Sequence, residues 1–279
     1  MKKILMAVLA HPDDESFGMG GTLAYYASKG VDVHLLCATK GEVGEVTPDL
    51  LMNFNSIADL RESELRCAAS ILGIKEVHFL GYRDSGMAGS PENQHPDALA
   101  SQPINDVAIA IVDYIREIKP QVIVTFDPIG GYRHPDHIAV HKTTVRAFEL
   151  AGDERLFRKN SVPFQPEKLF FHTFPRGFIR TAVKLLKLFG QDPARFGKNH
   201  DIDLESFANE NFQIDTVIRI KEVRDLKDRA GQCHASQGGG RIGGGVFSKF
   251  MKYFGNNESF MQAYPKKGFS RIKSHDLFT

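Results

Sequence analysis

Residues 4–15 read ILMAVLAHPDDE, an apolar run that ends abruptly in a polar, acidic segment. An uninterrupted apolar run of this length is typical of a parallel strand that is buried on both faces. The histidine and the acidic residues after it would then lie at the carboxyl end of that strand. Because open α/β sheets bind ligands at this end, the stretch predicts both a central strand and a site.

Strand and helix patterns continue to alternate through the first half of the chain. Further predicted strands are residues 31–38, 77–80 and 122–126, and predicted helices are residues 18–28, 56–72 and 135–150. Another predicted helix begins at Pro103 and carries Ile104 on its apolar face. This alternation predicts an α/β fold, a doubly wound and mainly parallel sheet with right-handed crossovers. In the common 3-2-1-4 order, strands one and four are neighbours, and ligands bind beyond their carboxyl ends.

The second half of the chain is less regular. Its predicted strands are residues 169–173 and 216–220, its predicted helices are residues 178–189 and 221–234, and the glycine run 238–245 is a predicted loop. No internal repeat or proline-rich linker separates the two halves. We therefore expect a single domain over residues 1–279, with a Rossmann-like core over 1–150 and an α/β extension over 151–279.

Composition excludes several classes of partner. The 279 residues include 35 Lys plus Arg and 34 Asp plus Glu, so the formal net charge is +1. Nucleic-acid binders usually carry a strong basic excess, so no nucleic-acid partner is expected. No apolar run approaches the roughly 18 residues of a membrane helix, so no membrane partner is expected either.

The cysteines bear on location. Cys37, Cys67 and Cys233 are odd in number and far apart. This pattern argues against a disulfide framework and against a cysteine zinc site, and it fits a reducing cytoplasm. The N-terminal MKKILMAVLA resembles a signal peptide, but the charged HPDDE follows too early for one. A cytoplasmic location is therefore predicted.

A second polar segment follows the fourth predicted strand. Residues 130–137 read GGYRHPDH, and both this segment and the first contain His-Pro-Asp. Imidazole and carboxylate groups without thiolates suit Zn²⁺ or a similar divalent ion. Three protein ligands and a water would make a catalytic site. A run of acids is also typical of a solvated loop, and His141 lies one helical turn after His137, so the ligand set stays open at this point.

Together with other segments, these two motifs resemble the PIG-L/LmbE-like family of zinc-dependent N-deacetylases. The matching segments, in chain order, are AHPDDE (10–15), TKGEVGE (39–45), a helix with Arg61 and Glu64, GYRDSGM (81–87), GGYRHPDHIAVH (130–141) and HASQ (234–237). Within the family, the segment at 83–87 is most similar to the branch of the mycothiol-biosynthesis deacetylase and the mycothiol-conjugate amidase. The resemblance covers most of residues 4–150.

The resemblance implies roles for the polar residues of both motifs. His11, Asp14 and His137 would bind the metal, which is zinc or, as an alternative, iron or another divalent ion. Asp13 would be the general base, and His134 would face the developing oxyanion or protonate the leaving amine. The remaining carboxylate, Asp136, would orient a histidine ring from behind.

Other residues have two interpretations each. By resemblance, Arg61, Glu42 and Asp84 would contact substrate hydroxyls; the alternative is a charge at a helix start and two loop acids. Tyr132 would donate to the oxyanion or be a turn aromatic. The C-terminal His234 and Gln237 would approach the site or end a helix. His141 is expected to pack, and the single histidines His34, His78 and His172 on predicted strands are expected to be structural.

The predicted function is the deacetylation of an N-acetylated amino sugar, such as an N-acetylglucosamine derivative, by metal-activated water with an Asp general base. The alternatives are a non-catalytic metal- or sugar-binding module, which would need no Asp13, an amidase acting on a thiol-sugar conjugate, and a phosphoesterase, which would usually need two metals. The partner is a small-molecule sugar, the extension would complete its pocket, and a homo-oligomer is compatible with the sequence.

Overall fold

The structure is a computed structural model that describes residues 2–156, 161–174, 176–195, 203–207, 210, 212–239, 255–268 and 273–279. Within these residues, seven strands form one sheet. The strands are β1 (Ile4–Leu9), β2 (Asp32–Cys37), β3 (Glu76–Phe79), β4 (Val122–Phe126), β5 (Lys168–Thr173), β6 (Thr216–Arg219) and β7 (Asn257–Tyr264).

The sheet order is β3-β2-β1-β4-β5-β7-β6. Strands β1 to β5 pair in parallel, whereas β7 is antiparallel to both β5 and β6. The predicted α/β class and the predicted 3-2-1-4 order are therefore confirmed. Because β1 and β4 are neighbours, the two polar segments that follow them leave the sheet side by side.

Helices lie between the strands. They are α1 (Gly20–Ser28), α2 (Pro48–Leu51), α3 (Ile57–Leu72), α4 (Ile104–Ile118), α5 (Gly130–Arg133), α6 (Pro135–Ala151), α7 (Arg176–Leu188), α8 (Leu204–Phe207) and α9 (Arg224–Cys233). The start of α1 differs from the prediction because residues 15–19 form a π-helical turn. Likewise, the predicted helix 221–234 is a 3₁₀ turn over 221–223 followed by α9.

Amphipathic patterns explain how the longer helices pack. Helix α4 buries Val107, Ile111 and Ile115 completely or nearly so, but Ile104, which was also predicted on its apolar face, is 46% exposed at the first turn. Helix α3 starts at Ser56, whose hydroxyl accepts a hydrogen bond from the N–H of the third residue on, a standard N-cap. It ends at a glycine in the left-handed conformation, as predicted.

Strand β7 is an element that the sequence patterns did not predict. Its sequence, NESFMQAY, has neither an apolar run nor strict alternation. The pattern of β7 is interrupted by Glu258, a charged residue that is only 5% exposed. Its carboxylate accepts hydrogen bonds from the N–H groups of Gly21 (3.1 Å) and Thr22 (2.7 Å) and pairs with Lys227 (2.6 Å). A buried carboxylate at the start of α1 looks like a solvent residue in a one-dimensional pattern.

A disulfide joins Cys67 on α3 to Cys233 at the end of α9, with the two Cα atoms 5.9 Å apart. The expectation that the cysteines form no disulfide is therefore wrong. The two positions are 166 residues apart in sequence, and only the packing of α9 against α3 brings them together. Cys37 is a buried free thiol. The cysteine count thus no longer supports a reducing compartment, and the cytoplasmic location stays a prediction.

The predicted glycine loop and the expected absence of a membrane helix can be compared only with the described part of the chain. Of the glycine run 238–245, Gly238 and Gly239 are described and the remaining residues lie outside the described part. In the part that is described, no helix has the length and apolar character needed to cross a membrane.

Candidate metal and active site

The polar segments after β1 and β4 meet at the carboxyl edge of the sheet. Three residues from them form a small triangle, in which each imidazole faces a different oxygen of the Asp14 carboxylate. His11 Nδ1 and His137 Nε2 are 3.3 Å apart, His137 Nε2 and Asp14 Oδ1 are 3.2 Å apart, and His11 Nδ1 lies 3.6 Å from Asp14 Oδ2. A tetrahedral zinc ion with bonds of about 2.0–2.1 Å separates its ligands by about 3.3 Å. The triangle therefore has the dimensions of a mononuclear divalent site.

Each of these side chains is held by a specific contact. The backbone N–H of His11 donates to Asp14 Oδ2 at 2.7 Å, which locks the carboxylate beside the ring. The ring of His137 stacks on Phe126, with centroids 4.0 Å apart and planes 12° apart. Both imidazoles are almost completely buried. The ligand set is thus rigid before any ion binds.

Asp136 supports His11 from behind. Its Oδ2 lies 3.1 Å from His11 Nε2, the ring nitrogen opposite the triangle. The carboxylate is fully buried and accepts hydrogen bonds from the backbone N–H of Ser85 at 2.9 Å and from the Ser85 hydroxyl. A carboxylate behind a metal-ligating histidine fixes the tautomer and raises ligand basicity. Asp136 thus lies against a histidine ring, where it was expected from the sequence, whereas Ser85 was not singled out there.

The electrostatics of this pocket favour a positive charge. Burial alone lowers the pKa of His11, but the carboxylates of Asp84, Asp136 and Asp14 around it raise that pKa well above its usual value. Excess negative charge in a buried pocket is costly unless a proton or a metal ion compensates it. The charge distribution therefore agrees with the dimensions of the triangle.

Asp13 lies beside the triangle in an unusual backbone conformation. Its φ is 127°, which residues other than glycine rarely adopt, and strain of this kind is typical of functional sites. The conformation is supported by the Asp13 N–H, which donates to Glu15 Oε2 at 3.0 Å, and by Arg61, whose Nη2 lies 3.2 Å from Asp13 Oδ2. Burial raises the pKa of Asp13 to about 6, partly offset by Arg61.

His134 caps the N-terminus of α6. Its Nδ1 accepts a hydrogen bond from the Asp136 N–H at 3.1 Å, so in the neutral ring the hydrogen lies on Nε2. Burial lowers the pKa of His134, which keeps the ring neutral near pH 7. The His134 ring centroid is 4.6 Å from that of His11, and the half-buried Tyr132 lies edge-on to His137 at 5.0 Å. Both side chains therefore border the triangle.

The predicted substrate-binding residues are not equivalent in the structure. Arg61 is only 4% exposed, and its guanidinium donates to the carbonyls of Pro12 (2.7 Å) and Gly41 (3.0 Å) as well as to Asp13. A methyl group on Gly41 would lie 2.2 Å from Arg61 Nη1, which explains a glycine at that position. The geometry thus makes Arg61 a residue that positions the Asp13 loop.

Glu42 lies on the rim, and Asp84 is buried just inside it. The Asp84 N–H donates to Glu42 Oε2 at 3.2 Å, and Asp84 Oδ1 lies 3.5 Å from His11 Nε2. Glu42 is half-buried and also lines a cavity of about 430 Å³ together with Arg83 and His95. Glu42 is therefore the more accessible of these two acids, whereas Asp84 lies within the first ring of groups around His11.

The C-terminal motif reaches the site from α9. His234 is fully buried and its Nε2 lies 2.7 Å from Glu15 Oε1; burial alone lowers the pKa of His234, but the Glu15 carboxylate raises it. One turn later, the N–H and hydroxyl of Ser236 donate to Glu64 at 2.7 and 2.6 Å. Sequence reasoning noted His234 but missed its partner, because Glu15 looked like part of an exposed acidic run.

His141 does not join the triangle. Its Nδ1 bonds the carbonyl of Phe126 at 2.9 Å and its ring lies against Phe171, so it has the packing role that was expected.

Comparison with known proteins decides the family. The family model described as "PIG-L: GlcNAc-PI de-N-acetylase" matches residues 6–148, which is half of the chain and includes both polar segments. The chain belongs to the PIG-L family. The resemblance seen in the sequence and the prediction of an N-deacetylase, a hydrolase of linear amides, are confirmed at the level of the family.

Relatives within the PIG-L family extend the match into the C-terminal part. A protein of Acidothermus cellulolyticus named 1D-myo-inositol 2-acetamido-2-deoxy-alpha-D-glucopyranoside deacetylase is 39% identical over 246 residues, covering 85% of this chain and 80% of the relative. A protein of the same name from Kineococcus radiotolerans is 41% identical, covering 84% and 68%.

Solved structures of similar fold span nearly the whole chain. A conserved protein from Thermus thermophilus aligns with a TM-score of 0.63 and 25% identity, covering 96% of this chain and 99% of that one. The N,N'-diacetylchitobiose deacetylase of Pyrococcus horikoshii aligns with a TM-score of 0.62 and 19% identity, covering 93% and 83%. The similarity of the second structure concerns the fold.

Proposed function

We propose that this protein removes the acetyl group from an N-acetylglucosamine glycoside by attack of a metal-activated water on the amide. The observation that carries the proposal is the buried triangle of His11, Asp14 and His137 with Asp13 beside it. The glycoside assignment is supported by the relatives from Acidothermus and Kineococcus, which are named for an acetamido-glucopyranoside of inositol.

We assign zinc as the ion, held by His11 Nδ1, His137 Nε2 and one Asp14 oxygen. Two imidazoles and a carboxylate match the donor set of catalytic zinc sites, which leave a fourth position for water or substrate. A divalent ion held by these residues would supply Lewis-acid chemistry, polarising the amide carbonyl and making water a better nucleophile near neutral pH. Iron remains the alternative, because the same donor types also bind it.

Asp13 is the group that takes the proton from the attacking water. It is next to a proposed ligand in sequence but outside the triangle, and the contact with Arg61 holds its carboxylate in place. Arg61 then acts through Asp13 as a positioning residue. A base that is held rigidly within hydrogen-bond reach of the water contributes about 10²–10⁴-fold to the rate.

His134 stabilises the oxygen that becomes negative as the amide is attacked. Because its Nδ1 accepts from the Asp136 N–H, its Nε2–H is the donor available to that oxygen. Tyr132 is the second donor, since its ring lies edge-on to those of both His134 (5.9 Å) and His137 (5.0 Å). Proton delivery to the leaving amine is assigned to Asp13 after it has taken the water proton.

Sugar recognition is assigned to the rim and to the C-terminal part of the chain. Glu42 presents a carboxylate at the rim, with the buried Asp84 behind it, and a charged group that binds a hydroxyl does so more strongly than a neutral one. Residues 151–279 complete the pocket through the α9 motif, whose His234 reaches Glu15. A site of this kind discriminates against substrates without hydroxyls, because its charges are then left unpaired.

The test compares release of primary amine from an N-acetylglucosaminyl-inositol, from N,N'-diacetylchitobiose and from an acetyl-lysine peptide. We expect the inositol glycoside to react far faster than the peptide. Asp13→Ala should retain the metal and lose about 10²–10⁴-fold in turnover. Metal binding without amine release from any acetamide would support a binding module instead, and equal rates on sugar and peptide would refute the sugar assignment alone.

A second comparison separates recognition from chemistry. Glu42→Ala should weaken the preference for the glycoside over a simple acetamide and leave turnover of the simple acetamide nearly unchanged. His95→Asn, which changes another residue that lines the same cavity, is the matched control. A proportional loss of both activities in Glu42→Ala would show that Glu42 supports the site and does not contact the sugar.

A further inference from the structure

A second group of metal-ligating side chains lies on the edge of the sheet, away from the PIG-L site. In the parallel register of β2 and β3, His34 pairs with Glu76 and Leu36 pairs with His78. Since side chains two residues apart point to the same face of a strand, His34, Glu76 and His78 project from one face. They belong to the body of the two strands, whereas the proposed catalytic residues follow the carboxyl ends.

The three side chains converge. His34 Nδ1 lies 3.9 Å from Glu76 Oε2, and His78 Nε2 lies 3.6 Å from the same oxygen. The two imidazole rings are stacked with planes only 10° apart and centroids 5.8 Å apart. One ligand atom from each residue falls within 4.8 Å of the other two. These separations are slightly larger than the edges of a metal tetrahedron, about 3.3 Å.

The two nitrogens that face Glu76 are enclosed and unsatisfied. His34 is only 6% exposed, and neither His34 Nδ1 nor His78 Nε2 has a hydrogen-bond partner among the residues that the structure describes. A buried polar atom without a partner costs about 1–3 kcal/mol, and native proteins nearly always satisfy such atoms. Two unpartnered nitrogens close to one carboxylate oxygen are therefore placed to share a cation with it.

We propose that His34, Glu76 and His78 bind a second divalent transition-metal ion, of the zinc type, which joins the edge strand β3 to β2. Two imidazoles and one carboxylate form a donor set that such ions prefer over calcium or magnesium. Glu76 is the adjustable ligand, because its side chain is 58% exposed and can move the few tenths of an ångström that the tetrahedron requires. A water completes the coordination.

The surroundings tolerate the added charge. Lys75, the nearest lysine along β3, pairs with Asp32 at 2.6 Å, and Lys2 pairs with the same carboxylate at 2.6 Å. Tyr114 from α4 lies 5.2 Å from the His78 ring and covers one side of the group. Strand β3 has only four residues and pairs only with β2 in the described chain, so a metal ion held by both strands would reinforce that single pairing.

The test counts metal ions per chain by plasma mass spectrometry after dialysis of the intact protein at micromolar free zinc. We expect two ions in the wild-type protein and one in Glu76→Gln. That variant changes an exposed side chain, so folding is preserved. His78→Asn should weaken the second ion by at least about tenfold, whereas His78→Cys, which supplies another zinc ligand, should retain it. His95→Asn is the control with an unrelated histidine and should hold two ions.

The two metal sites fail independently in this design. His137→Ala should lose the other ion and the deacetylase activity, while the activity of Glu76→Gln should equal that of the wild type. A single ion in the wild-type protein that disappears in His137→Ala, or two ions in both Glu76→Gln and His78→Asn, would overturn the second site. A water that bridges the two imidazoles would give the first of these results.

Discussion

Asp136→Asn isolates one interaction of the proposed metal site, because the amide has the shape of the carboxylate without its charge. In the variant, the amide oxygen can still accept from the Ser85 N–H and from His11 Nε2, and the amide NH₂ can donate to the Ser85 hydroxyl. The fold should therefore persist. What is lost is the charge assistance of the hydrogen bond from His11.

The expected magnitude follows from that single bond. A buried hydrogen bond to a charged partner contributes about 1.5–3 kcal/mol, and a neutral one contributes about 0.5–1.5 kcal/mol. The difference of about 1–1.5 kcal/mol corresponds to roughly tenfold weaker metal binding. This lies at the lower end of the 10–100-fold losses that follow removal of such carboxylates. Competition with a chromophoric zinc chelator measures the ratio directly.

The control is Asp215→Asn. Asp215 is also buried and accepts from the Gln262 N–H at 2.9 Å and from Gln213 at 2.6 Å, but it precedes the edge strand β6, which β5 and β7 separate from β4. Its substitution should leave zinc affinity unchanged. Equal affinity of Asp136→Asn and the wild type would refute the idea that His11 is a ligand held by this carboxylate. A loss in both variants would indicate a general effect on the fold.

Three further outcomes are expected. Because the disulfide closes a loop of 166 residues, Cys233→Ser should lower the free energy of unfolding by up to about 5 kcal/mol in non-reducing urea titrations. Adding reductant should lower the stability of the wild type by a similar amount and leave that of Cys233→Ser unchanged. Burial raises the pKa of Glu258, but its lysine and backbone N–H partners lower that pKa below the ordinary 4.5. The ionised Glu258 carboxylate therefore stabilises the folded protein above pH 4.5, and this contribution is lost as the pH falls below that value. The stability difference between the wild type and Glu258→Gln should therefore shrink on acidification, and a constant difference would contradict the ion pair. Gly41→Ala should reduce deacetylation more than Gly30→Ala does. Both glycines have positive φ, but only the methyl group at position 41 would press on the buried guanidinium of Arg61. Equal effects of the two substitutions would show that backbone strain alone is the cause.

Local patterns were sufficient for the first half of the fold and for much of the site. The apolar run of β1 and the alternation of strands and helices predict a doubly wound sheet, because burial on two faces leaves a signal along the chain itself. The handedness of crossovers then makes the segments after β1 and β4 neighbours. His11, Asp14, Asp136 and His137 could be placed together from sequence for this reason.

Tertiary structure decided the features that depend on a distant partner. The buried charge of Glu258 kept β7 from being recognised in the sequence pattern. Glu15 is buried against His234, and Cys67 meets Cys233 where two helices pack together. Each of these residues has the pattern of a surface group when its neighbours in sequence are considered alone. A charge or a thiol is stabilised in the interior by a particular partner, and which partner it meets is determined by packing over long sequence distances. His34 and His78 follow the same rule, since their convergence on Glu76 exists only in the register of β2 with β3.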